Sequence, residues 1–552
     1  MRPSGHTFDL IVLAADGSPM PSGDLSEAIV LDMESMPAFE QRAEVADGRV
    51  RLPTPDGPFG VSMPLPVPGF GHVWIYADNN GDGYRPSDIA GKPLNFCLEA
   101  ARSRAAAVAN AEHRYRAAGT RPSSDYRDRL ANANNLLADA VRKGADDTAS
   151  SKLALASLAH SMHAGEMLVV EHARAQIARA PKRPDFRFGC HGFKYPTLGK
   201  PYAQLFGALL NFVTLPFYRA RTEQQEGKRD FSQIEKILEW TTRDGLAVKG
   251  HPLLWFSGSG VPKWMEGHSY AQMEATHRSY ILEAVRRFRD RVGMWDIVNE
   301  MHDWQNILGY TPEHLVEMTR LAADTTREAD PNAVRIVNSC GTWSEYVATG
   351  RAFTGPIGRP GVSVLQYLRN VLAAGVEFEV IGLQMYYPAR DLFEIDRQLE
   401  RFCKLGKPVH ITELGVSSST APVEHHPITD VHANRYWHGE PWSESVQADW
   451  AEAYYTICYA KPVIQAITWW DFCDPSFIPH GGFVDDHLRP KESIGASSGC
   501  SRAGASAPTR VALPASLDCG ALVYCTRRFF TLERKPECLW PNHPSQHLLA
   551  AM

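Results

Sequence analysis

Two carboxylates stand where a folding chain has least reason to put them. The segment WDIVNE, residues 295 to 300, is an apolar run that ends on Asn299 and Glu300, and PVHITEL, residues 408 to 414, carries Glu413 in the same place. An ionised side chain at the end of a buried strand is costly to dehydrate, so two such placements ask for a use. Paired carboxyl groups facing one pocket can cleave a bond between sugars. One, protonated, gives its proton to the departing oxygen; the other attacks the anomeric carbon or activates water. The acid keeps its proton through burial or a like-charged neighbour, whereas its partner stays ionised among hydrogen-bond donors. Asn299 offers an amide to a sugar hydroxyl beside the scissile bond, which assigns Glu300 as acid and later base. Glu413, preceded by His410 and Thr412 on an otherwise apolar run, is assigned as nucleophile. Either Glu alone could be a strand-end ion pair; both at matched positions favour catalysis.

The elements that must hold them alternate short apolar strands with longer amphipathic helices beyond Pro184, the pattern of a parallel sheet with helical crossovers. Eight strands are expected, at 186–190, 210–215, 246–255, 293–300, 334–338, 378–385, 408–413 and 463–470. Eight units over residues 185–493 match a (β/α)8 TIM barrel, whose reacting groups stand at the carboxyl ends of the strands; Glu300 then ends the fourth strand and Glu413 the seventh. A doubly wound open sheet is the competitor, but no Gly-rich phosphate loop follows the first strand.

Ahead of this α/β unit, residues 1–97 read as a small β-sandwich, a candidate accessory carbohydrate-binding domain, and 98–184 as a helical connecting segment. Within the first, Asp78, Asn80, Asp82 and Gly83 match the front of a calcium loop, but Ile89 stands where the closing Glu belongs, which favours a tight turn. The helical stripe runs through Tyr126, Leu130, Ala133, Leu137 and Val141, and again through Leu155, Leu158 and Met162. Residues 494–552 turn abruptly rich in small residues and Pro, hold four of the ten cysteines and lack an apolar stripe, so they read as a non-native tail from a change of reading frame or an added segment.

Composition narrows the partners. A formal charge of −6 over 552 residues supplies no basic face for nucleic acid, and the one cationic run, Arg286 to Arg291, sits in a helix pattern as a solvated face. No uninterrupted apolar run is long enough to suggest membrane insertion, and the cysteines show no metal-type spacing. His425 and His426 are adjacent in a loop without a third ligand, so no metal or other cofactor is expected. The first residues lack the basic-then-apolar pattern of a secretory leader; a secreted or periplasmic location is expected from function alone. Oligomeric state is not readable.

On these motifs the segment 185–493 resembles glycoside hydrolase family 10, the retaining endo-β-1,4-xylanases. WDIVNE resembles the family's acid/base strand, HITEL its nucleophile strand, KGHPLLW its third strand and ITWWDFCD its eighth. The resemblance implies a retaining double displacement with Glu300 as acid/base and Glu413 as nucleophile. It also implies His251, Trp255, Asn299, Gln384 and Trp470 around the sugar next to the cleavage point, with Tyr386 and His410 as further candidate contacts. Indole faces suit the apolar faces of pyranose rings, and amide or imidazole groups fix hydroxyls. Retention requires the carboxyl groups to lie about 5 to 5.5 Å apart.

The chain departs from the family in three places. TLPFYRARTE puts Leu215, Pro216 and Phe217 where the family carries polar grips, and Gln384, Met385, Tyr386 replace a Gln-x-His, exchanging an imidazole near the nucleophile for a phenol. No further aromatic follows Asp474 in the expected place, while Tyr436, Trp437 and Trp442 in the long loop after the seventh strand are possible stacking platforms. The expected partner is therefore a β-linked polysaccharide or oligosaccharide. The alternatives are cleavage of another plant β-glycan, or a carbohydrate-binding protein that keeps the barrel and has lost turnover.

Overall fold

The computed structural model describes residues 1 to 495 apart from 90, 145–146, 353–354, 358–360, 387–388 and 424–435. His425, His426 and the expected tail from residue 496 onward lie outside the described residues.

Eight parallel strands close a barrel in chain order: β1 Arg187–His191, β2 Phe212–Pro216, β3 Ala247–His251, β4 Met294–Asn299, β5 Val334–Ser339, β6 Val380–Gln384, β7 Val409–Leu414 and β8 Ile464–Trp469. They are the eight runs anticipated from the sequence. The third, anticipated to residue 255, ends at His251 because Pro252 has no N–H to give a ladder. The chain then leans on β4, with Leu253 N donating to Asp296 O at 2.9 Å and Asn299 N to Leu254 O at 2.9 Å. Closure is made by β8 on β1, where Ala466, Ile467 and Thr468 pair with Arg187, Phe188 and Gly189. Gly189 lets β2 approach: a Cβ there would lie 2.7 Å from Phe212 O.

The outer helices bury one stripe each against this cylinder. Helix Leu392–Cys403 shows the logic: Leu392, Phe393, Ile395, Leu399 and Phe402 recur at three- and four-residue steps and are all buried. Asp391 starts it, its carboxylate accepting the Glu394 N–H at 3.1 Å.

The amino-terminal strands form two sheets, Pro3–Ile11 with Glu44–Ala46, Arg49–Pro55 and Leu94–Asn95, and Ile29–Leu31 with Gly60–Val67 and Gly71–Ala77. Phe8, Leu10 and Leu52 of the first share a core with Met63, Leu65 and Ile75 of the second. The calcium-like stretch is a short 3-10 turn, Asn79–Gly81, closed by Asp78 accepting the Gly81 N–H at 3.0 Å, and Ile89 is buried in the same core.

Three helices link this unit to the barrel: α1 Phe96–Ala117, α2 Ser124–Arg142 and α3 Asp147–Ile177. By length and composition α3 could cross a membrane, with a mean hydropathy of 1.3 in its most apolar window. Its apolar surface is spent inside the molecule instead, Leu155, Leu158 and Met162 packing into the amino-terminal core and Leu168 and Val169 into the barrel core. On α2 the anticipated stripe stops short, since Val141 is 43% exposed. Helix Leu392–Cys403 receives this assembly: Arg104 of α1 forks onto Asp391 at 3.0 and 2.6 Å, and Tyr115 donates to Asp396 at 3.0 Å.

Candidate functional site

The two anticipated carboxylates are brought to one end of the barrel. Glu300 follows β4 with φ of +50°, a left-handed conformation that residues with a Cβ seldom adopt, and its N–H donates to Asn338 O of β5 at 3.1 Å. Backbone strain of this kind persists only where the surroundings over-determine it, and here the turn aims the side chain at Gln384. Gln384 Nε2 donates to Glu300 Oε1 at 2.7 Å and to Asn299 Oδ1 at 3.3 Å. Asn338 Nδ2 donates to Asn299 Oδ1 at 2.7 Å and to Glu413 Oε1 at 3.3 Å, while Thr412 Oγ donates to Asn338 Oδ1 at 2.5 Å. One directional network of amides therefore runs from the acid on β4 to the carboxylate on β7. Tyr386 completes it, its phenol donating to Glu413 Oε2 at 3.1 Å.

Burial raises both carboxyl pKa values. Glu300 is pushed up to about 7, against the pull of Gln384, Asn299 and the indole of Trp255. Glu413 is raised by burial first and by the charge of Glu300 second, with Lys249 and the Tyr386 phenol opposing. Two raised carboxyls acting on each other titrate as a pair and hold one proton between them near neutrality. Donors decide where it sits. Glu413 receives two hydrogen bonds, one to each oxygen, that favour its ionised form, and the repulsion from Glu300 vanishes once Glu300 is protonated. Glu300, which Gln384 meets on one oxygen only, is raised by burial and keeps the proton.

Below Glu413 lies a buried charge cluster. Asp296 Oδ2 is 2.7 Å from both Lys249 Nζ and His251 Nδ1, with all three side chains shielded from water. Despite its burial, Lys249 and His251 hold the Asp296 pKa below the usual carboxylate range. Burial lowers that of His251, so the imidazole is neutral with Nδ1–H given to Asp296, and Nε2 faces Glu413 Oε1 at 3.9 Å. On the other flank Cys340 Sγ donates to Asp303 Oδ2 at 2.7 Å, and both lie within 4.8 Å of the Glu300 carboxylate. Burial and Asp303 keep this thiol protonated, which suits a donor.

Aromatic rings make the walls. Trp470 stands edge-on to His251 at 5.3 Å, Phe193 to Trp470 at 5.7 Å, and Tyr218 bridges to Phe193 at 5.8 Å and to Trp255 at 5.8 Å. Neighbouring Trp469 points outward, stacked on Phe483 at 4.8 Å with its N–H on Gly481 O. Thus Glu300, Glu413, Asn299, His251, Trp255, Gln384, Tyr386 and Trp470 are gathered at one pocket.

Two expected site residues are placed elsewhere. His410 lines a cavity of about 820 Å³ at the opposite mouth of the barrel, beside Arg187, Val248, Met294 and Val334 at the starts of their strands. It shares a strand with Glu413, but three residues of strand separate them by about 10 Å. Trp442, expected as a stacking platform, is 4% exposed and belongs to the barrel core. Trp437 stacks on His438 at 4.0 Å, and their hairpin reaches the amino-terminal unit, where Gly439 N donates to Phe70 O. The groups that sequence reasoning missed are Asn338, Tyr218, Phe193 and the Lys249–Asp296 pair. The buried Lys and Asp inside apolar strands, AVKGH and MWDIV, were the signal for the last.

The Tyr386 bond carries a test. Replacing Tyr386 by Phe removes a donor to the ionised Glu413 carboxylate, so the Glu413 pKa rises. The acid limb of the kcat/KM profile should then move up by roughly one pH unit, the worth of one charge-assisted hydrogen bond. An acid limb unmoved in a folded Tyr386→Phe enzyme removes the phenol from this role.

The family model described as Glycosyl hydrolase family 10 matches residues 201–477. Among curated relatives, endo-1,4-beta-xylanase B of Thermotoga neapolitana is 26% identical over 294 residues, spanning 48% of this chain and 73% of that protein. Endo-1,4-beta-xylanase B of Paenibacillus barcinonensis is 28% identical over 214 residues, 35% of this chain and 58% of that one. Among solved structures, xylanase 10B from Thermotoga petrophila RKU-1, crystallised with xylobiose, is 21% identical with a TM-score of 0.44, over 58% of this chain and 94% of its own.

Proposed function

The chain belongs to glycosyl hydrolase family 10, and from that premise we propose that it is a retaining endo-β-1,4-glycanase of xylanase type. The observation that carries the reading is the coupled pair itself: one buried carboxyl poised near neutrality on Glu300, one donor-held carboxylate on Glu413, and a single amide network between them. In the first step Glu413 attacks the anomeric carbon while Glu300 protonates the leaving oxygen, giving a glycosyl ester on Glu413. In the second, Glu300, now ionised, takes a proton from water, which attacks the same carbon and restores the starting configuration. Asn299 and Gln384 hold sugar hydroxyls in this scheme, and His251 and Trp470 shape the ring's place. Tyr218 and Trp255 extend the wall for a polymer. A substrate of that size argues for action outside the cytoplasm.

The test is product analysis on xylan and mixed-linkage glucan. Internal cleavage releases a ladder of oligosaccharides whose first-formed reducing ends are β by NMR. An α-first product would sink the retaining mechanism, and release of monosaccharide alone would sink the endo mode. The pH profile adds a check on Glu300. Its raised pKa means the protonated, working form is full well below 7 and lost as pH rises through about 7, so kcat/KM should fall tenfold per unit above that limb. Glu300→Gln removes the titrating acid, and the same limb should disappear from its residual activity.

A further inference from the structure

We propose that the amino-terminal unit braces the catalytic face, and that Trp74, Arg104 and Glu166 are positioning residues that set Tyr386 against Glu413 by holding the chain that follows β6. This rests on the glycanase reading and adds positioning residues to the same reaction.

The starting observation is how Tyr386 is hung. Its phenol meets Glu413 Oε2 at 3.1 Å, and just before it Met385 N donates to Glu413 O at 2.7 Å, so the upstream side is pinned by the barrel. The downstream side is pinned by the amino-terminal unit and its helices at four successive residues. Trp74 N, on strand Gly71–Ala77, donates to Ala389 O at 3.0 Å. The Arg390 guanidinium lies over the Trp74 ring at 4.5 Å. Asp391 takes the Arg104 fork, and Leu392 N donates to Glu166 Oε1 of α3 at 2.8 Å. Arg104, Glu166, Arg390 and Asp391 are all buried, so water and salt screen these contacts little.

The second observation is reach. After β5, Gln41 N donates to Ala348 O at 2.7 Å, and Ile29, Leu31 and Trp74 pack on Ala348 with Ala389 against the same cluster. After β7, the other oxygen of Glu166 pairs with His438, and Gly439 N donates to Phe70 O. The amino-terminal unit therefore holds the chain after β5, β6 and β7 at once. A phenol gives a carboxylate a full hydrogen bond only when its ring is held to a fraction of an ångström, which a segment fixed at both ends provides. The titratable groups facing Glu413 are Glu300, Lys249, Asp296, His251, Tyr218 and Tyr386. Of these six, Tyr386 is the one carried by a segment that the amino-terminal unit grips.

The experiment reads the acid limb of the kcat/KM profile on xylan, which reports Glu413, in folded variants of the brace. Arg104→Met removes the fork; Trp74→Leu, which keeps the backbone bond and loses the ring, carries the test where Arg104→Met does not fold. Each should move the limb upward by roughly half to one pH unit, so that kcat/KM on that limb falls about 3- to 10-fold. Arg104→Lys, which keeps charge but not the fork, should lie between parent and Arg104→Met. In a Tyr386→Phe background the same substitutions should add no further displacement, because the group they place is gone. A folded variant with a lower denaturation midpoint and an unmoved limb overturns the proposal. So does an equal displacement in the Tyr386→Phe background. Titrating Glu413 by NMR of carboxyl-labelled glutamate makes the same comparison without turnover. A parent enzyme that releases no reducing ends from xylan is then a failure of the glycanase reading, while the Glu413 titration still decides the brace.

Discussion

Replacing Glu413 by alanine should lower kcat/KM on xylan by at least about 10⁴-fold while leaving the fold intact, because the glycosyl ester then has nothing to form on. The loss alone does not separate a nucleophile from a binding group. Rescue does. With azide present, Glu413→Ala offers a hole on the attacking face, and a small anion filling it yields a glycosyl azide of inverted, α configuration. Glu300→Ala leaves the opposite hole: a substrate with a good leaving group still glycosylates Glu413 without acid help, and azide then completes the second step to give the β product. On xylan, whose leaving group needs the proton, Glu300→Ala should lose about 10²- to 10⁴-fold. If azide gave the same anomer from both variants, the assignment of roles along the amide network would be wrong.

The placement of the two carboxylates was open to reading because burial is legible. A buried parallel strand is mostly apolar, so Glu300 and Glu413 stand out at the ends of β4 and β7, although Asp296 and His410 break the same pattern earlier in each strand. The eight strands were legible for the same reason. Depth along a strand was not. His410 and Glu413 are close in sequence and share β7, yet one lines the lower mouth and the other the upper, because a strand carries side chains along the barrel axis by about 3.3 Å per residue. Trp442 misled for a related reason: an aromatic just before a helix start reads as a free loop residue, whereas Ser443 caps helix Glu444–Tyr459 and Trp442 folds under it.

Groups whose role depends on two distant strands were the least legible. Asn338 ends an ordinary-looking β5, VRIVN, and nothing in that run reveals that its amide reaches Asn299 on β4 and Glu413 on β7. The departures from the family were visible, including the Tyr386 phenol at the sixth strand, but the contacts the new side chains make were not. At β6 the substitute is the Tyr386 phenol on Glu413, with Gly415 leaving room beneath its ring: a Cβ there would sit 3.6 Å from Tyr386 and 3.3 Å from Ile478. After β2 the Tyr218 ring stands beside His251 and Trp255.

The Lys249–Asp296 pair sets the largest expected stability effect. Both side chains are fully shielded, so Asp296→Ala strands an ammonium in the barrel interior and should cost about 3 to 5 kcal/mol, seen as a lower denaturation midpoint. The cost is the penalty for the uncompensated charge, not the worth of the pair. Replacing both partners with apolar residues, Lys249→Met with Asp296→Leu, should therefore recover most of the midpoint. Activity should not recover with it. His251 loses the acceptor that fixes its Nδ1–H, and Glu413 loses both Lys249, which pulls its pKa down, and Asp296, which pushes it up more weakly, so the double variant should be stable and slow with its acid limb shifted slightly upward. A double variant regaining both stability and the parent pH profile would show that the buried pair serves packing alone. A stable enzyme with a displaced limb would place the pair in the electrostatics of the nucleophile, one layer below the sugar.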